Sequence, residues 1–528
     1  MMNLTFFMTL IPIGMFLIAF WIIKKKYIID EHFYETMLSD IKSRKAFVKS
    51  SQQTEWFKNA IIYQIYPASF KDSNNDGIGD IGGIISKLDY LKNLGVTCVW
   101  LSPVYCSPMK DNGYDISNYK DINPMFGTLG EFKTMLDEMH ARGIKLIMDL
   151  VVNHTSDEHE WFRQSRSSKE NPYRDYYVWR KKANNWTGFF ANKAWTFDET
   201  SGEYYLSLFG KQQPDLNWEN EKVRAEVKDI CRFWLDMGVD GFRCDAINLI
   251  SKDQGFKNGK HALFLVGSEY YINGPRLHEY LHELNTEVFS CYNAMTVGET
   301  VFCGLENQML LTDPARKELS MVFNFEHTNV DNFFGVKWLY RNFSLQRLKR
   351  ILDKYQYGLQ QVGWNSIFFE NHDQRRSIGR FGTDEVHYPL EGAKMLANTF
   401  YFLKGTAFVY QGQELGMTNW NVKSIDEFQD IETKNVIALM KQWHLPKAFI
   451  SKSIRNGSRD NARTPFQWSD KVYAGFSDTA PWLSVNPNYT SINAEQNLAD
   501  ENSVLHYYKK LFTTLKDKAA FLREASYK

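Results

Sequence analysis

The sequence predicts an α/β protein, a (β/α)8 TIM barrel, from three observations. A unit of amphipathic helix, glycine and short apolar run recurs along the chain; the apolar runs number eight; and one helix follows its strand only after a very long insertion. In the first unit Ile84, Ile85, Leu88, Leu91 and Leu94 keep a helical period, Gly95 ends it, and residues 96–102 (VTCVWLS) follow. In the second, Phe132, Met135, Leu136 and Met139 precede Gly143 and the run KLIMDLVV from Lys145. In the third, Val223, Val227, Ile230, Trp234 and Leu235 lead to Gly238 and VDGFRCD. A fourth runs from about Glu391 to Lys404, then Gly405 and TAFVYQG. A glycine just past a helix takes the left-handed cap conformation, and a continuous apolar run suits a strand covered on both faces. Alternation of this kind argues for a parallel sheet. IIYQIY from Ile61, MTVGE from Met295, MVFNFE from Met321 and SIFFEN from Ser366 complete eight strands, the number of a closed barrel.

The long connection, residues 154–220, is rich in Trp, Tyr, Asn and Lys and is expected to form an inserted subdomain after the third strand, on top of the barrel. It divides the barrel into residues 55–153 and 221–528. Ahead of these, Leu4 to Ile23 carries no charge and is long enough for a bilayer core, with Lys24, Lys25 and Lys26 directly behind it. The absence of a preceding basic residue favours an uncleaved anchor over a signal peptide. Residues 1–26 are therefore expected to be a membrane-spanning helix, 27–54 a polar neck, and the protein a single-pass membrane protein of open sidedness.

Composition narrows the function classes. Lys plus Arg and Asp plus Glu both total 62, so no bulk field favours nucleic acid. Six cysteines without CxxC spacing argue against a zinc site and a dense disulfide framework. Aromatic content of 15% serves a large core, and flat rings can also stack on sugars.

Active sites of such barrels lie at the carboxyl ends of the strands. Four of the predicted strands place an acid there: Asp149, Asp245, Glu299 and Asp373. His154, Arg243 and His372 accompany them. A lone acid at a strand end is often a cap; four converging on one mouth point to chemistry. A carboxyl pair suits glycoside hydrolysis, one attacking the anomeric carbon while the other protonates the leaving oxygen. Arg243, two residues before Asp245, shares its strand face and can keep that carboxylate ionised. Glu299, among other carboxylates, is expected to have a raised pKa, as a general acid requires.

The segments DLVVNH ending at His154, QPDLNWEN from Gln213, GFRCDAINLISK from Gly241, VGET ending at Thr300, ENHDQ from Glu370 and RDNARTPFQW from Arg459 resemble, in this order, those of the α-amylase family of glycoside hydrolases (family 13). The resemblance is closest to its oligo-1,6-glucosidase and α-glucosidase branch and runs from about Trp56 almost to the end. It implies Asp245 as nucleophile, Glu299 as acid/base and Asp373 as the third acid that grips sugar hydroxyls. It implies further that Asp111 and Tyr114 hold the non-reducing glucose, with His154, Arg243, His372, Arg459, Phe190 and Gln213 completing the subsite. The implied activity is retaining, exo-acting hydrolysis of short α-glucosides such as isomalto- or malto-oligosaccharides, and sucrose is a further possible substrate.

Asp72, Asn74, Asp76, Ile78 and Asp80 alternate around Gly77 in the oxygen-ligand rhythm of a calcium loop, without the distal glutamate of an EF-hand. The alternative is a polar turn; the resemblance favours a structural Ca2+. Two features depart from the family's pattern. Ala246 follows the nucleophile where relatives often carry valine or threonine, a position associated with linkage preference. Relatives also continue into an antiparallel C-terminal β-domain, which this sequence is expected to lack. Alternatives within the same chemistry are a transglucosylase or sucrose isomerase. From another class comes the non-enzymatic heavy chain of an amino-acid transporter, disfavoured by the intact acids and by a neck without cysteine.

Overall fold

The computed structural model describes residues 55–527, apart from 261, 263, 334, 361 and 382–386. Eight parallel strands form one sheet: β1 (Ile61–Ile65), β2 (Cys98–Leu101), β3 (Lys145–Val151), β4 (Gly241–Asp245), β5 (Met295–Glu299), β6 (Met321–Phe323), β7 (Ser366–Ile367) and β8 (Thr406–Tyr410). The order is β6-β5-β4-β3-β2-β1-β8-β7, and a parallel bridge from Val322 to Asn365 joins the two ends. The barrel is thus nearly closed, and the eight expected strands are all present.

Each strand leads to a helix on the outside: α1 (Leu88–Leu94), α2 (Leu129–Ala141), α3 (Glu221–Met237), α4 (Leu277–Glu287), α5 (Leu305–Thr312), α6 (Leu345–Gly358), α7 (Pro389–Tyr401) and α8 (Val504–Asp517). Gly95 and Gly238 cap α1 and α3 with φ of 102° and 113°, where a side chain would be strained. Thr128 and Glu131 close a reciprocal capping box at the start of α2.

The strands are buried on both faces, which is why they read as unbroken apolar runs. Outward residues such as Tyr63, Val99, Leu101, Leu146 and Met148 pack with the helices. Inward residues Ile62, Trp100, Ile147, Met295, Val297, Phe323 and Phe408 fill the barrel. Side chains alternate along a strand, so the inward parity of Ile147 and Val297 continues, two residues on, to Asp149 and Glu299. Polar groups therefore begin where the apolar filling stops, at the carboxyl end.

Two long connections cover that end. Within residues 154–220, strands Trp179–Arg180, Trp195–Asp198 and Glu203–Leu206 form an antiparallel sheet with the last in the middle. Bridges His154–Asp215 and Tyr177–Leu216 fold this segment back on itself. The second connection, between β8 and α8, carries helices Ile431–Gln442, Lys447–Gly457 and Asp460–Arg463. Its Trp420, Phe428 and Ile454 form an apolar cluster with Trp338 from the connection between β6 and α6, and the sequence does not set this connection apart from the barrel.

The membrane assignment needs correction. Among the described residues no helix is long and apolar enough to cross a membrane. The predicted span and neck lie outside the described residues, so no described helix supports the expected transmembrane helix, membrane partner or single-pass location. Apolar length and the flanking charge pattern suggest the span, and neither by itself distinguishes an anchor from other apolar segments.

Candidate active site

One guanidinium organises the centre. Arg243 is fully buried inside β4, and its Nη1 donates to Asp245 Oδ1 at 2.7 Å. Its Nη2 pairs with Glu299 Oε2 at 2.8 Å, and Nη1 also pairs closely with Asp149. Three strand ends, β3, β4 and β5, are thereby tied through one planar fork. Trp100 Nε1 donates to Asp149 Oδ2 at 2.8 Å from β2. Asp149, named from the sequence only as a strand-end acid, is thus the second anchor of Arg243.

Burial pushes the Asp245 carboxyl up to about 6 against the pull of Arg243, so Arg243 limits the rise without keeping the group at its ordinary value. Burial likewise raises Glu299 to about 7, with Asp245 and Asp373 adding to it. The expected raised value for Glu299 is present, but burial, ahead of its carboxylate neighbours, is its main cause. Asp149 rises to about 6 through burial. Asp245 therefore loses its proton at lower pH than Glu299.

A second group faces the first across Tyr114. The Tyr114 hydroxyl lies 2.7 Å from His372 Nε2 and 3.4 Å from Asp149 Oδ2, and its ring is parallel to that of His372. Gln64 on β1 supports the other ring nitrogen of His372 at 2.8 Å, and burial lowers that imidazole to about 3, leaving it neutral. Asp373 receives Arg463 Nη2 at 2.7 Å and Arg459 Nη1 at 3.3 Å. Burial would raise its carboxyl, but His372, Arg459 and Arg463 hold it well below the usual range. Arg459 Nη2 also donates to Asp111 Oδ1 at 3.0 Å, whose other oxygen receives Gln213 Nε2 at 3.1 Å. Gln213 continues to His154 at 3.2 Å, and His154 meets the Tyr114 carbonyl at 3.0 Å. Phe190, from the inserted segment, lies 5.1 Å from the Arg459 guanidinium, ring to cation.

The structure therefore brings Asp245, Glu299, Asp373, Asp111, Tyr114, His154, Phe190, Gln213, Arg243, His372 and Arg459 into one connected set. Sequence reading missed Arg463 and Asp430. Arg463 stands four residues after Arg459, one helical turn away, and that spacing was a usable signal. Asp430, which anchors Arg459 at 2.6–2.8 Å, gave no local signal, because a long connection delivers it.

Ala246 has left-handed backbone (φ 42°), and its N–H donates to Glu299 Oε2 at 3.2 Å. The residue after Asp245 thus also holds the Glu299 carboxyl.

The oxygen-rich loop lies apart from these acids. Asp72 accepts N–H groups of Asn74, Asn75 and Gly77 and the Ser477 hydroxyl, and Asp80 caps helix Ile81–Ile85 through Gly83. Asn74 and Asp76 accept the loop's own amides at the exposed tip. Gly77 has φ 88°, and a Cβ there would meet the Ala480 carbonyl at 2.4 Å, so the turn requires glycine. The donors are hard oxygens and suit a hard cation in kind. Among the described residues, no three His, Cys, Asp or Glu side chains are grouped as a metal would gather them.

The α-amylase catalytic-domain model matches residues 64–525. The chain belongs to the α-amylase family of glycoside hydrolases. It is 56% identical over 465 residues to the oligo-1,6-glucosidase of Parageobacillus thermoglucosidasius, covering 86% of this chain and 83% of that protein. The solved trehalose-6-phosphate hydrolase of Bacillus licheniformis superposes with a TM-score of 0.83 at 47% identity, covering 88% of this chain and 84% of that one. A mutant isomaltulose synthase of Erwinia rhapontici NX5, solved with its natural substrate sucrose, gives a TM-score of 0.85 at 42% identity, with coverages of 88% and 85%. Membership of this family, with the identity to an oligo-1,6-glucosidase, makes the chain a glycoside hydrolase.

Proposed function

We propose that the protein is a retaining, exo-acting α-glucosidase that hydrolyses short α-glucosides through a covalent glucosyl-enzyme intermediate. Asp245 attacks the anomeric carbon, Glu299 protonates the leaving oxygen and then activates water, and Asp373 grips sugar hydroxyls. The observation that carries this reading is the shared guanidinium. Asp245 and Glu299 bind adjacent nitrogens of Arg243, which favours the short carboxyl spacing of a retaining enzyme, about 5 to 5.5 Å, over a spacing with room for water. The order of their pKa values, about 6 and about 7, matches nucleophile and acid. Tyr114, Asp111, His154, Gln213, His372, Phe190 and Arg459 enclose the remainder of one sugar ring.

The identity to oligo-1,6-glucosidase favours isomalto-oligosaccharides as substrates. The likeness to isomaltulose synthase keeps sucrose isomerisation as the second reading, since it needs the same intermediate and differs in the acceptor. Incubating the purified protein separately with isomaltose, maltose, sucrose and trehalose, and identifying products, separates the two. Glucose released from isomaltose with the α-anomer first supports the proposal. A β-anomer first, or no turnover of any α-glucoside, refutes it.

The loop of Asp72, Asn74, Asp76, Ile78 and Asp80 is proposed to take a structural Ca2+ through side-chain oxygens and the Ile78 carbonyl. Its alternating donors and its contacts with residues 476–482 support this role. Chelation followed by calcium titration should lower and then restore the melting temperature; an unchanged value would remove the ion from the proposal.

A further inference from the structure

We propose that Asp430 is a positioning residue for the glucose subsite, acting through Arg459; this rests on the α-glucosidase reading. Asp430 is fully buried beside Arg459. It lies just before helix Ile431–Gln442 and is held at three points. Its Oδ2 accepts the Thr433 N–H at 2.9 Å and the Thr433 hydroxyl at 2.6 Å, and its own N–H donates to Asp460 Oδ2 at 3.0 Å. The remaining oxygen, Oδ1, accepts Arg459 Nε at 2.8 Å and lies 2.6 Å from Nη2.

That contact decides which edge of the fork faces the sugar. An arginine side chain is long and flexible, and its five N–H donors have a fixed geometry. With Nε donating to Asp430 and Nη2 paired with the same oxygen by charge, Nη2 donates to Asp111 and Nη1 to Asp373. The second Nη1 N–H is left for a sugar hydroxyl. Phe190 faces the guanidinium, and its carbonyl accepts Asn435 Nδ2 at 3.2 Å from the same helix. Glu432 lies 3.7 Å from Nε but is paired with Lys337 at 2.5 Å, so it is a weaker competitor. Without the Asp430 charge, the Nε edge turns towards Asp111 and Asp373 and takes up the acids that would bind glucose.

A purely structural role as a helix cap makes a different prediction. Asparagine caps a helix about as well as aspartate, so Asp430→Asn removes the charge and keeps the cap. The expected result is a melting temperature near that of the parent, with kcat/KM on an α-glucoside lowered about 10- to 100-fold. Most of the loss should be in KM, and the dissociation constant of deoxynojirimycin, measured by calorimetry, should rise in parallel. Thr433→Val weakens the cap without touching Arg459 and should lower the melting temperature while leaving KM unchanged. A KM and a deoxynojirimycin affinity within twofold of the parent in Asp430→Asn overturn the proposal. If that variant does not fold, Asp430→Glu decides by the same constants: its longer side chain keeps the charge but displaces the fork, and unchanged constants again overturn the proposal. Absence of turnover in the parent would sink the α-glucosidase reading, while the calorimetric comparison would still read the effect of Asp430 on the subsite.

Discussion

At the scale of single residues, the site is a problem of too many acids for one cation. Asp149, Asp245 and Glu299 share Arg243, and burial raises all three carboxyls. Aspartate starts below glutamate, and burial carries Asp245 to about 6 and Glu299 to about 7, so Asp245 loses its proton first. In the proposed roles, turnover needs Asp245 without its proton and Glu299 with it. Activity should therefore rise through about pH 6 and fall through about pH 7, giving a narrow bell in kcat/KM for the free enzyme. Glu299→Gln should abolish turnover of α-glucosides with poor leaving groups and retain some with an activated aryl glucoside, without the basic limb. A plateau extending above pH 9 in the parent would contradict the role of Glu299. The sequence showed the acids and the period-two relation of Arg243 to Asp245. It did not show that burial, and not the other carboxylates, is the larger cause of the Glu299 shift, because burial depends on what the two long connections lay over the site.

At the scale of elements, the positions of the acids depend on register between strands. Gly241 opens β4 opposite Met295 of β5. It has φ 155°, and a Cβ there would lie 2.0 Å from the Met295 carbonyl oxygen. A side chain must push β4 from β5, the two strands that carry Asp245 and Glu299. Gly241→Ala should cost about 2 to 4 kcal/mol, from backbone strain and overpacking together, and should reduce activity beyond the loss of folded protein. Gly202 also has positive φ, but a Cβ there meets nothing within 4 Å. Gly202→Ala should cost only about 1 kcal/mol, the conformational part alone. Urea unfolding of the two variants measures the difference; equal costs would show that the contact with β5 is unimportant. The strands were legible because both faces are buried, and helix ends were legible where glycine caps them. The helices between β8 and α8 were not, since their apolar residues pack on each other and break the barrel's rhythm.

At the scale of the whole molecule, the inserted segment must be held against the barrel for the subsite to close. Lys252, behind β4, is 3% exposed and reaches Asp215 Oδ2 at 2.9 Å and Asn153 Oδ1 at 2.8 Å. Asn153 in turn donates to Asp215 at 3.1 Å, so β3, β4 and the end of the insertion meet at one buried ion pair. Replacing Lys252 by Met leaves Asp215 buried without its partner, and should destabilise the protein by about 3 to 5 kcal/mol. Proteolysis should then cut first within residues 154–220. Adding Asp215→Asn should recover part of the loss; no recovery would mean that Lys252 acts by packing alone.

The sequence by itself determined the barrel, because strand burial and helix capping are local demands that leave a periodic trace. It also placed Asp149, Asp245 and Glu299 at strand ends, since alternation along a strand is geometry that needs no partner; Asp373 lies in the loop beyond β7 (Ser366–Ile367). Tertiary structure decided what those acids are: three share one guanidinium, and the fourth is held ionised by Arg459 and Arg463. It also decided the orientation of Arg459, through Asp430. These are contacts between residues far apart in the chain, and spacing along the sequence carries no record of them.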